Sequence, residues 1–227
     1  MSEGPRARVA IVDYGLGNLF SIQHACRHAG LEVAVTAAKA EILEADAVLL
    51  PGVGAFGDAM DALRGLDLVR VLKDVAASDT MLVGICLGMQ LLMSESEEFG
   101  RHRGLGIIEG RVVRLIQEIA RPGARRLKVP EVGWNRIRAV QAGQWEGTLL
   151  EGLSDGDSMY FVHSFVVQPA DPSTVLSVTR YGPIDYCSTL QRGNLFACQY
   201  HPERSGPQGL QIYQQLAFHL TRSLSKA

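Results

Sequence analysis

The stretch VGICLGMQLL, residues 83–92, joins an apolar run to an apolar helical pattern at one reactive side chain, Cys86. The run from Met81 to Ile85 has the length and composition of a buried parallel strand. Gly84 and Gly88 flank the cysteine with the spacing of a nucleophile elbow, with Cys in place of Ser. Glycines permit the sharp turn, and the beginning of a helix favours the thiolate form of the thiol. Two interpretations are open at this point: a nucleophile, or a buried structural cysteine.

Strand and helix patterns alternate on the amino-terminal side of the elbow. Strands are predicted at Arg8–Val12, Val33–Thr36 and Ala47–Leu50, and helices from Ile22 to Ala29 and from Asp58 to Ala76. This order is typical of a doubly wound parallel sheet, in which the active crevice lies at the carboxyl ends of the strands. We therefore expect the functional residues to follow the strands directly.

Beyond Gly100 the sequence changes to short β-branched runs separated by Gly, Pro and Asp. These runs predict antiparallel or mixed strands that extend the same sheet, at 111–115, 160–167, 174–179 and 194–200, before a closing helix over 207–223. The predicted fold class is α/β, a doubly wound and mainly parallel sheet flanked by helices, with added antiparallel strands. Since no linker interrupts the pattern, residues 8–227 are expected to form a single domain after a disordered tail at 1–7.

Composition excludes several classes of function. Apolar residues make up 47% of the chain, charged residues 20%, and the net charge is −2, so no global basic field recruits nucleic acid or an acidic membrane. The local basic run at 121–128 is predicted to be a solvated loop. We find neither an export signal nor an apolar run long enough to cross a membrane. The four cysteines show no CxxC or metal-ligand spacing, which favours a reducing, cytoplasmic setting without a metal or cofactor.

Two glycine-rich loops follow predicted strands. The first, at Gly15 and Gly17, is not a dinucleotide loop, because Phe20 stands at the third glycine position. The second is PGVGAFG at 51–57, which lacks the Gly-Lys-Ser/Thr ending of a phosphate loop. It is either a tight turn or a loop whose backbone N–H groups face a reacting oxygen near Cys86.

The segment His201-Pro202-Glu203 contains the groups that a cysteine nucleophile needs. In an extended segment, which Pro202 is expected to lock, residues two apart point to the same side, so the carboxylate can orient the imidazole. The zinc deaminase signature also begins with H-x-E, but it requires a later P-C-x-x-C, and no cysteine follows Cys198. This segment favours Cys–His–Glu catalysis over a structural Cys86. His163 lies in a strand-like run and fits either the crevice or the core equally well.

Several motifs together resemble a known family. The segments GICLGMQLL, PGVGAF and CQYHPERSG resemble the class I (triad) glutamine amidotransferases. More narrowly, IVDYGLGN at 11–18, KVPEVGWN at 128–135 and YFVHSF at 160–165 are similar to the glutaminase subunits of imidazole glycerol phosphate synthases. The resemblance covers residues 8 to about 222, which is nearly the whole chain.

The resemblance implies a flavodoxin-like fold and hydrolysis of L-glutamine by a catalytic triad. Cys86 would attack the side-chain carboxamide, His201 would pass a proton to the departing ammonia, and Glu203 would orient His201. The matching oxyanion positions are the backbone N–H groups of Gly52, Val53 and Leu87, and the matching glutamine-binding positions are Gln90, Ser164 and Phe165.

The resemblance also implies a partner, a (β/α)8-barrel cyclase subunit that forms a heterodimer with this chain and receives the ammonia. The cyclase would make imidazole glycerol phosphate and aminoimidazole carboxamide ribotide in histidine biosynthesis. Asn18, Trp134, Tyr160 and Arg204 match interface positions of the family, although Trp134 and Tyr160 are equally explained as core aromatics.

Glu131 departs from the family pattern, which usually has His before Gly-Trp-Asn. The departure leaves a second hypothesis open, the same glutaminase chemistry serving a look-alike barrel that aminates a sugar for surface polysaccharide. A third hypothesis is a non-catalytic member of the fold that binds a partner.

Overall fold

The computed structural model describes residues 6–115 and 127–224. The elements up to the elbow are β1 (Arg8–Val12), α1 (Leu19–His28), β2 (Glu32–Thr36), α2 (Lys39–Leu43), β3 (Ala47–Gly52), α3 (Phe56–Gly65), α4 (Leu68–Ala77), β4 (Met81–Cys86) and α5 (Leu87–Leu91). The helix predicted over 58–76 is in fact two helices, because Asp67 takes a left-handed φ of 54° between them. The helix α2 was not predicted, since five residues are too few for a helical period to be recognised.

The elements after the elbow are mostly strands. They are β5 (Glu95–Ser96), β6 (His102–Arg103), β7 (Gly110–Arg114), β8 (Glu131–Ala139), β9 (Ser158–His163), β10 (Phe165–Pro169), β11 (Val175–Tyr181), β12 (Ile184–Arg192), β13 (Leu195–Cys198) and α6 (Gly206–Leu224). The predicted closing helix is confirmed as α6.

The main sheet has nine strands in the order β2-β1-β3-β4-β13-β12-β11-β8-β9. The first five strands in this order run parallel, and each pairing from β13 to β9 is antiparallel. The predicted α/β class is therefore confirmed, with a mixed sheet that is parallel at one end and antiparallel at the other. Because β4 lies between β3 and β13, the loops that follow these three strands meet at one edge.

The prediction that all later strands extend one sheet is wrong. β5, β6, β7 and β10 form a separate sheet of four strands in the order β10-β7-β5-β6. The single strand predicted over 160–167 is divided at Ser164, with β9 in the main sheet and β10 in the second. The sequence contains no local signal for this division, because β-branched and aromatic residues continue on both sides of Ser164.

Both faces of the main sheet are covered. Along β1, Val9 and Ile11 belong to one core cluster, and Ala10 and Val12 belong to the other. Both faces of β1 are therefore buried, and parallel strands buried on both faces are continuous apolar runs. α1 and α6 contribute to the first cluster, while α3 and α4 contribute to the second.

Two predicted segments fall partly outside the described ranges. Residues 1–5 of the predicted tail lie there, but Ala7 is buried in the core, so the tail prediction is wrong for Ala7. Residues 121–126 of the predicted basic loop also lie outside the described residues. Within the described ranges, no helix is long and apolar enough to cross a membrane.

Candidate active site

The elbow at the end of β4 holds Cys86 in an unusual backbone conformation. Its φ is 55° and its ψ is −110°, outside the regions that non-glycine residues prefer. Such a conformation costs on the order of 1–3 kcal/mol and is found mostly at functional sites. A Cβ on Gly88 would lie 1.7 Å from the carbonyl oxygen of Leu50, so the helix after Cys86 packs against β3 with no room for a side chain. The strand-to-helix elbow predicted from the sequence is confirmed.

His201 and Glu203 meet as predicted, but by a different geometry. The Nδ1 atom of His201 lies 2.8 Å from Oε1 of Glu203. The prediction of a wholly extended segment is wrong, because Pro202–Arg204 form one 3-10 turn, with Pro202 at its first position. Proline is favoured there, since its fixed φ suits a helical turn and its missing N–H would have had no partner. His201 itself is extended, and its carbonyl oxygen accepts a hydrogen bond from Ser205 Oγ at 2.6 Å.

The imidazole of His201 is buried between two groups that can carry negative charge. Burial by itself lowers the pKa of His201, but Cys86 and Glu203 outweigh this effect and hold the pKa above its ordinary value. His201 Nε2 has no hydrogen-bond partner of ordinary geometry in the described part of the chain. Because Nδ1 is engaged by Glu203, Nε2 is left as the atom that can exchange a proton with the reacting groups. These neighbours therefore favour the protonated form of His201.

The predicted oxyanion residues lie beside the nucleophile. β3 continues to Gly52, which pairs with Cys86 in the parallel ladder. A Cβ on Gly52 would lie 2.3 Å from the Tyr14 hydroxyl oxygen and 2.9 Å from Cβ of Leu87, so Gly52 and Leu87 are close neighbours. Val53 follows and is partly exposed. The backbone of Gly52 and Leu87 therefore lies close to Cys86.

Tyr14 contacts the predicted oxyanion loop, and the sequence analysis did not identify it. Its hydroxyl donates a hydrogen bond of 2.6 Å to the carbonyl oxygen of Pro51, at the beginning of the predicted oxyanion loop. Burial raises the pKa of Tyr14, and the charge of Cys86 raises it further, so the phenol remains a donor. Its place in the segment DYGLGN, next to two glycines after a buried strand, was the available signal.

A pair of buried glutamines connects the thiol to the predicted glutamine-binding segment. Gln90 Nε2 donates to the carbonyl oxygen of Phe165 at 3.0 Å and to Oε1 of Gln199 at 3.1 Å. Gln199 Nε2 lies 3.6 Å from the Sγ atom of Cys86. The structure therefore brings together Gln90 and Phe165, with Ser164 adjacent in the chain. Gln199 was missed, although a polar residue directly after the buried strand β13 and two positions before His201 could have indicated it.

His163 lies in the core and contacts the predicted glutamine-binding segment at Phe165. Its Nδ1 atom is 3.1 Å from the carbonyl oxygen of Phe165, and its Nε2 atom is 3.2 Å from the hydroxyl oxygen of Tyr186. The same hydroxyl oxygen is 2.9 Å from Oε2 of Glu131. Asn135 Nδ2 donates to the other carboxyl oxygen of Glu131 at 2.7 Å. Of the two interpretations of His163, core packing is the one observed.

Three of the predicted interface residues, Trp134, half-buried Tyr160 and Arg204, form a surface cluster on the β8–β9 strand pair and the 3-10 turn. Trp134 is 58% exposed and Val132 is 60% exposed, so the core interpretation of Trp134 is wrong. Trp134 contacts the ring of Tyr160 edge to face, with centroids 6.1 Å apart, and the Arg204 guanidinium lies 4.6 Å from the centre of the Tyr160 ring. We call Val132, Trp134, Tyr160 and Arg204 the hairpin patch. Asn18 is exposed just before α1, which packs against the turn that contains Arg204.

Cavity size does not locate this site. A surface cavity of about 490 Å³ is lined by residues between 139 and 155, and none of the catalytic, oxyanion or glutamine-binding residues lines it. The residues described in the structure include no cluster of three or more side chains placed to hold a metal ion. The strained Cys86 and its buried polar neighbours identify the site by their chemistry.

Burial of His163 predicts that this residue contributes less to stability in acid. Burial lowers the pKa of His163 from 6.5 to about 4, while Phe165 raises it and His201 lowers it by smaller amounts. Glu131 and Tyr186 also face the imidazole. Between these two pH values the unfolded chain binds more protons at this residue, so the free energy of unfolding falls as pH decreases, by up to about 3 kcal/mol. We expect the free energy of unfolding, measured in urea at pH 7 and at pH 4.5, to fall further for the wild type than for His163→Gln. Equal decreases for the two proteins would contradict a lowered pKa of His163.

Comparison with known proteins agrees with the fold and the motifs. The family model for class I glutamine amidotransferases matches residues 10–220, and this chain belongs to that family. The curated relatives include imidazole glycerol phosphate synthase subunit HisH from Rhodopirellula baltica, 42% identical over 92% of this chain and 96% of the relative. The HisH subunit from Moorella thermoacetica is 44% identical over 90% of this chain and 91% of the relative.

Solved structures share the fold at low sequence identity. PurLQS from Thermotoga maritima matches with a TM-score of 0.67 and 18% identity, over 95% of this chain and 100% of the other. A structure described as a glutamine amidotransferase matches with a TM-score of 0.68 and 19% identity, over 92% of this chain and 98% of the other. These two matches support the α/β fold.

Proposed function

We propose that this chain is the glutamine-hydrolysing subunit of an imidazole glycerol phosphate synthase, with Cys86, His201 and Glu203 as its catalytic triad. The observation that carries the proposal is the buried His201–Glu203 pair, 2.8 Å apart, beside a cysteine held in a strained elbow. The HisH relatives, matched over nearly their whole length, favour this function over amination of a polysaccharide sugar. An intact nucleophile, base and orienting carboxylate argue against a non-catalytic role.

The reaction follows from the charges of the site. The Cys86 thiolate attacks the carboxamide carbon of glutamine, and the oxyanion that forms is held by N–H groups of Leu87 and the Gly52–Val53 peptide, each worth on the order of 3 kcal/mol. Protonated His201 gives its proton to the departing nitrogen, so ammonia leaves and a thioester remains. Water then attacks the thioester while His201 accepts a proton, which releases glutamate and restores the starting enzyme.

The glutamine itself is proposed to contact Gln90 and the backbone of Ser164 and Phe165. Gln90 uses both of its described hydrogen bonds as a donor, to Phe165 and Gln199, so its side-chain orientation is fixed before substrate binds. A fixed orientation reduces the entropy lost on binding. No cofactor or metal is proposed for this chemistry.

The partner is proposed to be a (β/α)8-barrel cyclase that docks on the hairpin patch, with Asn18 at its rim. Trp134 and Arg204 are exposed and Tyr160 is half-buried, and Trp, Tyr and Arg are the residue types that dominate binding energy at interfaces. The patch is also close to the reacting groups, since Arg204 follows Glu203 directly and Tyr160 is two residues from Val162, whose carbonyl oxygen lies 4.0 Å from the Cys86 thiol. Ammonia released at Cys86 therefore has a short route to a partner bound there. The four cysteines are free thiols, which fits the cytoplasmic setting proposed for the pair.

Trp134→Ala is expected to weaken binding of the cyclase by about 10- to 100-fold, because large aromatic anchors carry much of the energy of an interface. Titration calorimetry with the purified cyclase measures the change. Phe218→Ala is the matched control, since Phe218 is 53% exposed on α6 and lies outside the hairpin patch. Equal affinities for wild type and Trp134→Ala would place the interface elsewhere.

Coupling between the two subunits tests the function as a whole. We expect slow glutamine hydrolysis by this chain alone and a large rise when the cyclase and its nucleotide ligand are added. Restoration of growth in a histidine auxotroph that lacks this subunit distinguishes the histidine pathway from a sugar-modifying one. Failure to restore growth, together with equal hydrolysis rates with and without the cyclase, would contradict the proposal.

A further inference from the structure

The buried hydrogen bonds around His163 set the number of protons that this group of side chains must hold. Phe165 presents a carbonyl oxygen, which only accepts hydrogen bonds, so His163 Nδ1 at 3.1 Å from it must carry a proton. His163 Nε2 then faces the Tyr186 hydroxyl at 3.2 Å, and that hydroxyl also contacts Glu131 Oε2 at 2.9 Å. Tyr186 has one proton for these two contacts. A second proton is therefore needed to complete both hydrogen bonds, and it resides on Glu131 or on His163.

The location of that proton decides the charge of the network. On Glu131 it gives a neutral carboxylic acid that donates to Tyr186, which in turn donates to a neutral His163. On His163 it gives a buried carboxylate and a buried imidazolium, with Tyr186 donating to the carboxylate. The side chains of His163 and Glu131 are only 2% and 4% exposed, and their nearest charged atoms are 3.6 Å apart, beyond direct hydrogen-bond distance. The ion pair would be buried and would lack a direct hydrogen bond, so its desolvation is costly and the neutral form is favoured.

The surroundings support the neutral form. Burial is the largest influence on both groups, raising the pKa of Glu131 and lowering that of His163 to about 4. Hydrogen bonds with Asn135 and Tyr186 lower the pKa of Glu131, but their effects are smaller than the effect of burial. The other titratable groups that face the network are His201, which disfavours a second positive charge on His163, and Tyr181.

We propose that Glu131 is a carboxylic acid at neutral pH and that the hydrogen-bonded chain Glu131–Tyr186–His163 positions the Phe165 carbonyl for glutamine binding. The Phe165 carbonyl receives Gln90 on one side and His163 on the other. His163, fixed from behind by Tyr186, therefore sets the position of the carbonyl that holds Gln90. These three are positioning residues and none contacts the reacting atoms. This role rests on the glutamine site proposed above, whereas the protonation of Glu131 does not.

Infrared spectroscopy tests the protonation directly. The wild-type protein at pH 7 is expected to show a carboxylic-acid carbonyl band that shifts in D₂O and is absent from Glu131→Gln. Glu32→Gln, which changes an exposed carboxylate on β2, is the matched control and should leave the band in place. Nitrogen chemical shifts of His163 should report a neutral ring protonated at Nδ1. Absence of the band, or an imidazolium at His163, would overturn the proposal.

Kinetics of the complex with the cyclase test the positioning role. Glu131→Gln is expected to keep both kcat and KM for glutamine within about threefold, because an amide reproduces the donor and acceptor of the neutral acid. Tyr186→Phe breaks the chain and should raise KM by about tenfold while kcat changes by less than about threefold. If Glu131→Gln is as damaging as Tyr186→Phe, or if Tyr186→Phe leaves KM unchanged, the positioning role is overturned. Absence of glutamine hydrolysis in the wild-type complex would instead refute the proposed function, and the infrared result would still stand.

Discussion

Cys86→Ala is expected to abolish glutamine hydrolysis and glutamine-dependent synthesis by the complex, with a loss of about 10⁴-fold or more. Alanine lacks the sulfur that forms the thioester, while the fold around the elbow has no reason to change. Synthesis from added ammonium salts should continue at a rate within about threefold of the wild type, because the cyclase then receives ammonia without help from the triad. Both rates are measured on the same complex with the nucleotide substrate.

The control for this substitution is Cys187→Ala. Cys187 is a buried thiol in β12 whose sulfur contacts the Thr189 carbonyl oxygen. Burial raises the pKa of Cys187, which keeps it a thiol and not a nucleophile. Its loss should leave glutamine-dependent synthesis nearly unchanged. If Cys86→Ala retained glutamine-dependent synthesis, the assignment of the nucleophile would be wrong.

Gly88→Ala is expected to lower the free energy of unfolding by about 3 kcal/mol or more, or to prevent folding. The new Cβ would lie 1.7 Å from the carbonyl oxygen of Leu50, which is backbone and cannot rotate away. β3 and α5 would have to separate, and the predicted oxyanion residues at the end of β3 would move with them. Urea unfolding monitored by circular dichroism measures the change.

Gly65→Ala is the matched control, since a Cβ on Gly65 at the end of α3 would meet no atom within 4 Å. Alanine there should be neutral or stabilising by up to about 1 kcal/mol, because it has a higher helix propensity than glycine. Equal stability of Gly88→Ala and wild type would show that the elbow is less tightly packed than the structure indicates.

The parallel half of the fold was predictable because its signals are local. The apolar strands β1, β3 and β4 are continuous runs, and the glycine spacing around Cys86 indicates a sharp turn without any tertiary information. The division of the chain at Ser164 into two sheets was not predictable in this way. Which strand pairs with which is decided by tertiary packing, and the strand-forming residues on either side of Ser164 are alike.

The residues of the site also divide into those with a local sequence signal and those brought together only by tertiary packing. Cys86, His201 and Glu203 could be proposed from the sequence because their residue types and spacings are themselves chemical signals, even though the prediction of an extended Pro202 is wrong. Tyr186 was not identified, because it lies on β12 and meets Glu131 and His163 only through the folding of distant segments. These contacts join residues 23 and 55 positions apart, and a single sequence carries no pattern for them.

Chemical labelling of the nucleophile tests the central claim most directly. The complex with the cyclase is treated with a chloroketone analogue of glutamine, and the modified residue is located by peptide mass spectrometry. We predict alkylation of Cys86, protection by excess glutamine, and no modification of Cys26, Cys187 or Cys198, because burial raises the pKa of those three thiols. Labelling of another cysteine in place of Cys86, or labelling that glutamine does not prevent, would contradict the proposed glutaminase site.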